Sequence, residues 1–174
     1  MRITRKVVFM VLLGVAFAAT AVAQNVVNFK QLQGFLPKAD LAGYTKGKPG
    51  GETTSVMGMS SSEATLNYEK SAGGTIEVKI ADTAGVPMAA LGMGMIGMTE
   101  YENETENGYD KSIKVQGFPG TEKVERGEYK SAEISIVVAK RFMVELKCVD
   151  CDDIANLKKL VEGMDLGGLA KLAK

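Results

Sequence analysis

Four stretches of the chain alternate apolar and polar residues, and this period of two is the strongest restriction on its fold. Ala64, Leu66 and Tyr68 alternate with Thr65, Asn67 and Glu69, and Ile76, Val78 and Ile80 with Glu77, Lys79 and Ala81. Ala132, Ile134, Ile136 and Val138 repeat the pattern, as do Phe142, Val144, Leu146 and Cys148. Positions two apart lie on different sides of a helix but on the same side of a pleated strand. The segments therefore predict strands with one buried face, joined as an antiparallel sheet.

The turns between them fit that reading. Ser71-Ala72-Gly73-Gly74 offers residues that tolerate positive φ between the first two strands, and Asn107-Gly108 is a strong hairpin signal between segments 101–106 and 109–115. A further strand is expected over 122–126, and 139–141 turns the last pair. Helical spacing appears in three places. Val27, Leu32, Phe35 and Leu36 suit a short helix stopped by Pro37, and Ile154, Leu157, Val161 and Met164 a terminal helix begun by acidic residues. Leu166, Leu169 and Leu172 extend it by one apolar turn. Between residues 86 and 98, Met88, Leu91, Met95 and Met98 recur at helical intervals, although Gly92, Gly94 and Gly97 each cost about 1 kcal/mol of helix propensity. Segment 37–62 is rich in Gly, Ser, Thr and Lys and reads as loop with short edge strands near Tyr44 and Val56. The sum is an α+β domain: a single antiparallel sheet of about six strands with helices packed on it.

Arg2, Arg5 and Lys6 precede an apolar run over 7–19 and the small-x-small triplet Ala21-Val22-Ala23. Order and length match a secretory signal peptide cleaved after Ala23; a spanning helix needs about 20 apolar residues, so an uncleaved anchor is the weaker alternative. Removing those 23 residues, three of them basic, from 174 leaves 151 with 18 basic and 21 acidic side chains, a formal charge of −3. That length suits one domain over 24–174, free in the periplasm or outside the cell. The mild acidity gives no reason to expect nucleic acid as a partner, and no integral membrane segment remains after cleavage.

Tyr68, the run Val78-x-Ile80-x-Asp82, Asn107-Gly108-Tyr109-Asp110-Lys111, Gly117-Phe118-Pro119-Gly120, Arg141-Phe142-Met143-Val144 and Met164-Asp165-Leu166 together resemble a group of uncharacterised exported bacterial proteins. The likeness covers most of residues 28–169. The group's arrangement is similar to the PsbP-like α/β/α sandwich, used for subunit binding in photosystems and for other non-enzymatic interactions. The resemblance implies that fold and a role in binding.

The chemistry available is narrow. There is no histidine, which removes Ser-His-Asp and Cys-His catalysis and imidazole metal sites. Cys148 and Cys151 are three apart and in an exported chain can close a small disulfide; free buried thiols, or a thiol-disulfide or metal function, are the alternatives. Cys151 precedes a predicted helix, which favours a thiolate, but Asp150, Asp152 and Asp153 oppose one. Soft thioethers at Met93, Met95 and Met98 raise Cu(I) handling, yet on a helix only Met95 and Met98 share a face. Met88, Leu91, Met95 and Met98 read first as a packed apolar stripe, and otherwise as a soft surface for an apolar ligand or a protein partner. Glu100, Glu102, Glu104 and Glu106 fall on one strand face, repel one another and point to water. No Gly-x-x-x-x-Gly-Lys-Ser/Thr order supports nucleotide binding. The expectation is an exported, non-catalytic interaction or ligand-binding module with no cofactor.

Overall fold

A computed structural model describes residues 25–56, 59–71, 73–84 and 96–174. Most of the described chain is one antiparallel sheet of nine strands: β1 (Tyr44–Lys46), β2 (Gly50–Val56), β3 (Met59–Lys70), β4 (Thr75–Asp82), β5 (Glu102–Thr105), β6 (Gly108–Val115), β7 (Phe118–Glu125), β8 (Ser131–Val138) and β9 (Phe142–Val149). Their order across the sheet is β1-β3-β4-β9-β8-β7-β6-β5, with β2 also pairing β3. The helices are short: α1 (Phe29–Leu32), continued by a 3-10 turn (Gln33–Phe35), α2 (Ile154–Glu162) and α3 (Leu166–Lys171).

This corrects the expected six-stranded sheet with helices packed on it. Sheet dominates, and the reason lies in β2 and β3. Segment 50–56 reads Gly-Gly-Glu-Thr-Thr-Ser-Val, with residues 51–55 exposed, so it leaves no apolar period; nevertheless its backbone pairs with β3 from Gly50↔Thr65 to Val56↔Met59. Backbone pairing needs no apolar side chain, whereas period-two recognition does. β7 is likewise longer than expected, because Pro119 lies at its start, beyond the residues that pair β8, where a missing N–H is tolerated. The expected leader and most of the Met-rich segment lie outside the described residues.

The register places the alternating residues as the sequence pattern requires. Val78 lies opposite Leu66 on one side and Leu146 on the other, and Leu146 opposite Ile134, so that Ala64, Ile80, Val144 and Ile136 form the next row. Leu157, Leu160 and Val161 of α2, with Leu166 and Leu169 of α3, join these rows in one buried cluster, and both helices lie against β8. Burying each such side chain is worth about 1.5–3 kcal/mol. The face toward these helices is called here the helix face, and the other the second face. Asp153 starts α2, its carboxylate accepting from the Asn156 N–H, and Asp165 does the same for Gly168 in α3.

At the β2 edge, α1 covers the open strand: the Phe29 N–H donates to Thr53 Oγ1 and the Gln33 amide to the Gly50 carbonyl. A Cβ on Gly51, at φ +151°, would meet the Glu63 carbonyl and the Phe29 ring. Only glycine lets the helix sit so close to the strand.

Candidate functional site

Cys148 and Cys151 are disulfide-bonded, their Cα atoms 5.5 Å apart. Cys148 is buried on the helix face beside Ile76 and Ala132; Cys151 lies in the link to α2, against Gly74. The bridge thus pins the end of β9 to the start of α2, with Asp150 between them at φ +57°. Of the methionine set, Met88, Met93 and Met95, together with Leu91, lie outside the described residues. Met98 ends a turn over 96–98 and is 77 % exposed. Glu102 and Glu104 lie exposed on β5, Glu100 just before it pairs with Lys114 at 3.1 Å, and Glu106 occupies the turn to β6.

The buried charges are occupied in holding the fold. Asp82, at the end of β4, accepts Arg141 Nε at 3.0 Å and the Ala84 N–H at 2.9 Å on Oδ1, and Arg141 Nη2 at 2.8 Å and the Val27 N–H at 2.7 Å on Oδ2. Glu122, 1 % exposed on the helix face, accepts the Tyr109 hydroxyl at 2.6 Å and pairs with Lys158 of α2 at 2.9 Å. Burial, with the bond to Glu122, pushes the Tyr109 phenol up to about 12. Among the described residues every buried side-chain nitrogen and oxygen has a hydrogen-bond partner, and no three His, Cys, Asp or Glu residues are grouped to hold a metal ion.

What remains unspent lies on the second face over β5, β6 and β7. The rows there are Asn103↔Asp110↔Lys123 and Thr105↔Gly108↔Glu125. They floor a groove of about 420 Å³ that is also lined by Tyr129 from the loop after β7. Tyr129 is 77 % exposed and Tyr101 41 % exposed. The Tyr101 hydroxyl donates to Asp110 Oδ1 at 2.8 Å, and its N–H to Ser112 Oγ at 2.8 Å, so ring and backbone are both held. Burial and that hydrogen bond push the Tyr101 phenol up to about 12. Tyr101 also lines a neighbouring groove of about 550 Å³ with Ser112, Lys114 and Pro119.

The groove carries more acid than base, with Asp110, Glu125 and Glu128 lining it against Lys123. Lys123 meets Glu125 at 2.7 Å, and Glu125 also accepts Ser131 Oγ at 3.0 Å. The hydrogen bonds from Lys123 and Ser131 hold the Glu125 carboxyl below its ordinary value, and Glu125 in turn raises Lys123. A carboxyl so placed stays ionised at neutral pH, the opposite of what a general acid needs.

Sequence reasoning passed over Tyr101, Asn103, Asp110 and Tyr129 as candidates. Each stands alone in the chain as an ordinary surface residue, and only strand pairing brings them together; two tyrosines left beside a polar hairpin were the available signal. Comparison of the chain with family models, with curated proteins and with solved structures finds no match.

Proposed function

We propose that the chain is an exported, non-catalytic protein that binds a ligand or partner. The observation that carries the reading is the groove on the second face, where exposed Tyr129 borders side chains that the core does not use and exposed Tyr101 is bonded to one of them, Asp110. Asp82 and Glu122, the buried carboxylates that would interest an enzymologist, are engaged by Arg141 and by Tyr109 and Lys158. Support for export comes from the leader-like start of the sequence and from the Cys148–Cys151 bridge, since disulfides persist in oxidising compartments. No described helix is long and apolar enough to cross a membrane.

The test has two parts. Fractionation of cells producing the chain with its own first 23 residues should recover it shortened, outside the cytoplasm. Thermal unfolding against a panel of sugars, peptides and small metabolites should reveal a ligand that raises Tm, with the rise lost in Tyr129→Ala. Retention in the cytoplasm, or a turnover abolished by a point substitution in this chain, overturns the reading.

A further inference from the structure

Resting on the binding role above, we propose that the second face of β5–β7 binds a neutral oligosaccharide, with Tyr101 and Tyr129 as stacking platforms and Asn103 and Asp110 as partners for sugar hydroxyls. The argument starts from what the groove lacks. Its one lysine, Lys123, meets Glu125 at 2.7 Å and is outnumbered by Asp110, Glu125 and Glu128, so there is no cationic surplus to hold a phosphate or a carboxylate. Asn, Thr, Asp, Lys and Glu make up most of its lining, so a purely apolar ligand would leave these groups unpaired.

A saccharide suits both kinds of surface. The C–H face of a pyranose is weakly positive and meets the negative face of an aromatic ring. Adjacent ring hydroxyls are donor and acceptor together, which an Asn amide answers with both its groups and a carboxylate with two acceptors. Asn103 and Asp110 lie directly opposite each other across β5 and β6, presenting such a pair on one row. Tyr101 is fixed before any ligand arrives, because Asp110 holds its hydroxyl while much of the side chain stays exposed. A platform ordered in advance loses little entropy on binding.

Length favours a chain of sugars over one. Tyr101, just before β5, and Thr105 at its end are four residues apart, about 13 Å at ~3.3 Å per residue. Tyr101, bonded to Asp110, joins the groove of about 420 Å³ to that of about 550 Å³. Each lies within the range of ~300–1,000 Å³ usual for small-molecule sites.

The experiment is calorimetric titration of the full chain in its exported form with maltotetraose, cellotetraose and chitotetraose. At least one should bind with a Kd below about 1 mM. Tyr129→Ala and Asn103→Ala should each weaken it by about tenfold or more, while circular dichroism and Tm stay as in the parent because both side chains are exposed. Tyr101→Phe, which keeps the ring but frees it from Asp110, should weaken binding less than Tyr101→Ala. Silence from all three sugars up to about 10 mM, or binding indifferent to Tyr129 and Asn103, overturns the proposal. If the sugars fail while a peptide or metabolite raises Tm through Tyr129, the saccharide assignment falls and the binding role stands; if nothing binds and turnover is found, both fall.

Discussion

Arg141 grips Asp82 through two parallel bonds, Nε to Oδ1 at 3.0 Å and Nη2 to Oδ2 at 2.8 Å, across 59 positions of sequence. The same guanidinium reaches the Asn25 carbonyl at 2.9 Å, and Asp82 takes the Val27 N–H. The pair therefore ties the start of the described chain to the end of β4 and the start of β9.

Removing one member leaves the other charged and without its partner. Arg141→Met should destabilise the protein by about 3–5 kcal/mol in urea unfolding. The double variant Asp82→Leu with Arg141→Met should recover much of that loss, since no unpaired charge remains. Equal loss in single and double variants would show that backbone contacts to Val27 and Ala84, rather than the charge pair, hold this corner.

Gln116, at the tip of the β6–β7 hairpin, donates its amide to the carbonyls of Met164 at 2.8 Å and of Val161 and Glu162 at 3.3 Å. Val161 and Glu162 end α2 and Met164 lies just past it, where carbonyls lack partners within the helix. Gln116→Ala should cost about 1 kcal/mol and raise amide hydrogen exchange at the C-terminal turn of α2. Gln116→Asn tolerates the φ of +51° equally well but is one carbon shorter, so it should lose the same contacts.

The Cys148–Cys151 bridge closes a loop of few residues, for which chain entropy assigns about 2 kcal/mol. Cys148→Ala with Cys151→Ala should lower stability by about that amount and loosen the start of α2, measured by urea unfolding and hydrogen exchange. A bridge acting in catalysis would behave otherwise: the parent would reduce a model disulfide and the double variant would not.

Alkaline pH should unfold the protein partly through Tyr68. Its buried hydroxyl donates to the Ala39 carbonyl at 2.9 Å, and burial, aided by Asp40, pushes it up to about 12 from an ordinary value near 10. Because the folded state holds the proton more tightly, the contribution is complete below pH 10 and lost as pH rises toward 12. Two units correspond to about 3 kcal/mol. Tyr68→Phe should flatten this limb of the stability profile relative to the parent; an unchanged slope would assign the alkaline loss elsewhere.

Much of the sheet was legible in advance. The β3–β4 and β8–β9 hairpins carry their apolar residues on alternate positions because one face is buried, and the structure pairs them in that register. α2 was legible for the same reason at helical spacing, with acidic residues at its start; Leu166 and Leu169, expected as one more turn of that helix, instead belong to a separate α3 capped by Asp165. The Asn107-Gly108 hairpin also forms, but shifted: Glu106 and Asn107 make the turn and Gly108 opens β6. A Cβ at Gly108 would strike the Val124 carbonyl of β7, so the glycine serves strand approach and the turn falls one residue earlier.

The sequence by itself determined which residues are buried and in what period, and hence the central strands and the C-terminal helices, because burial leaves a repeating trace in side-chain type. Tertiary structure alone decided that the short edge strand expected near Val56 extends over the whole polar segment 50–56, that Asp82 meets Arg141, and that Tyr101, Asn103, Asp110 and Tyr129 share one face. Those outcomes depend on backbone hydrogen bonds and on contacts between distant positions. Neither leaves a local period in the chain.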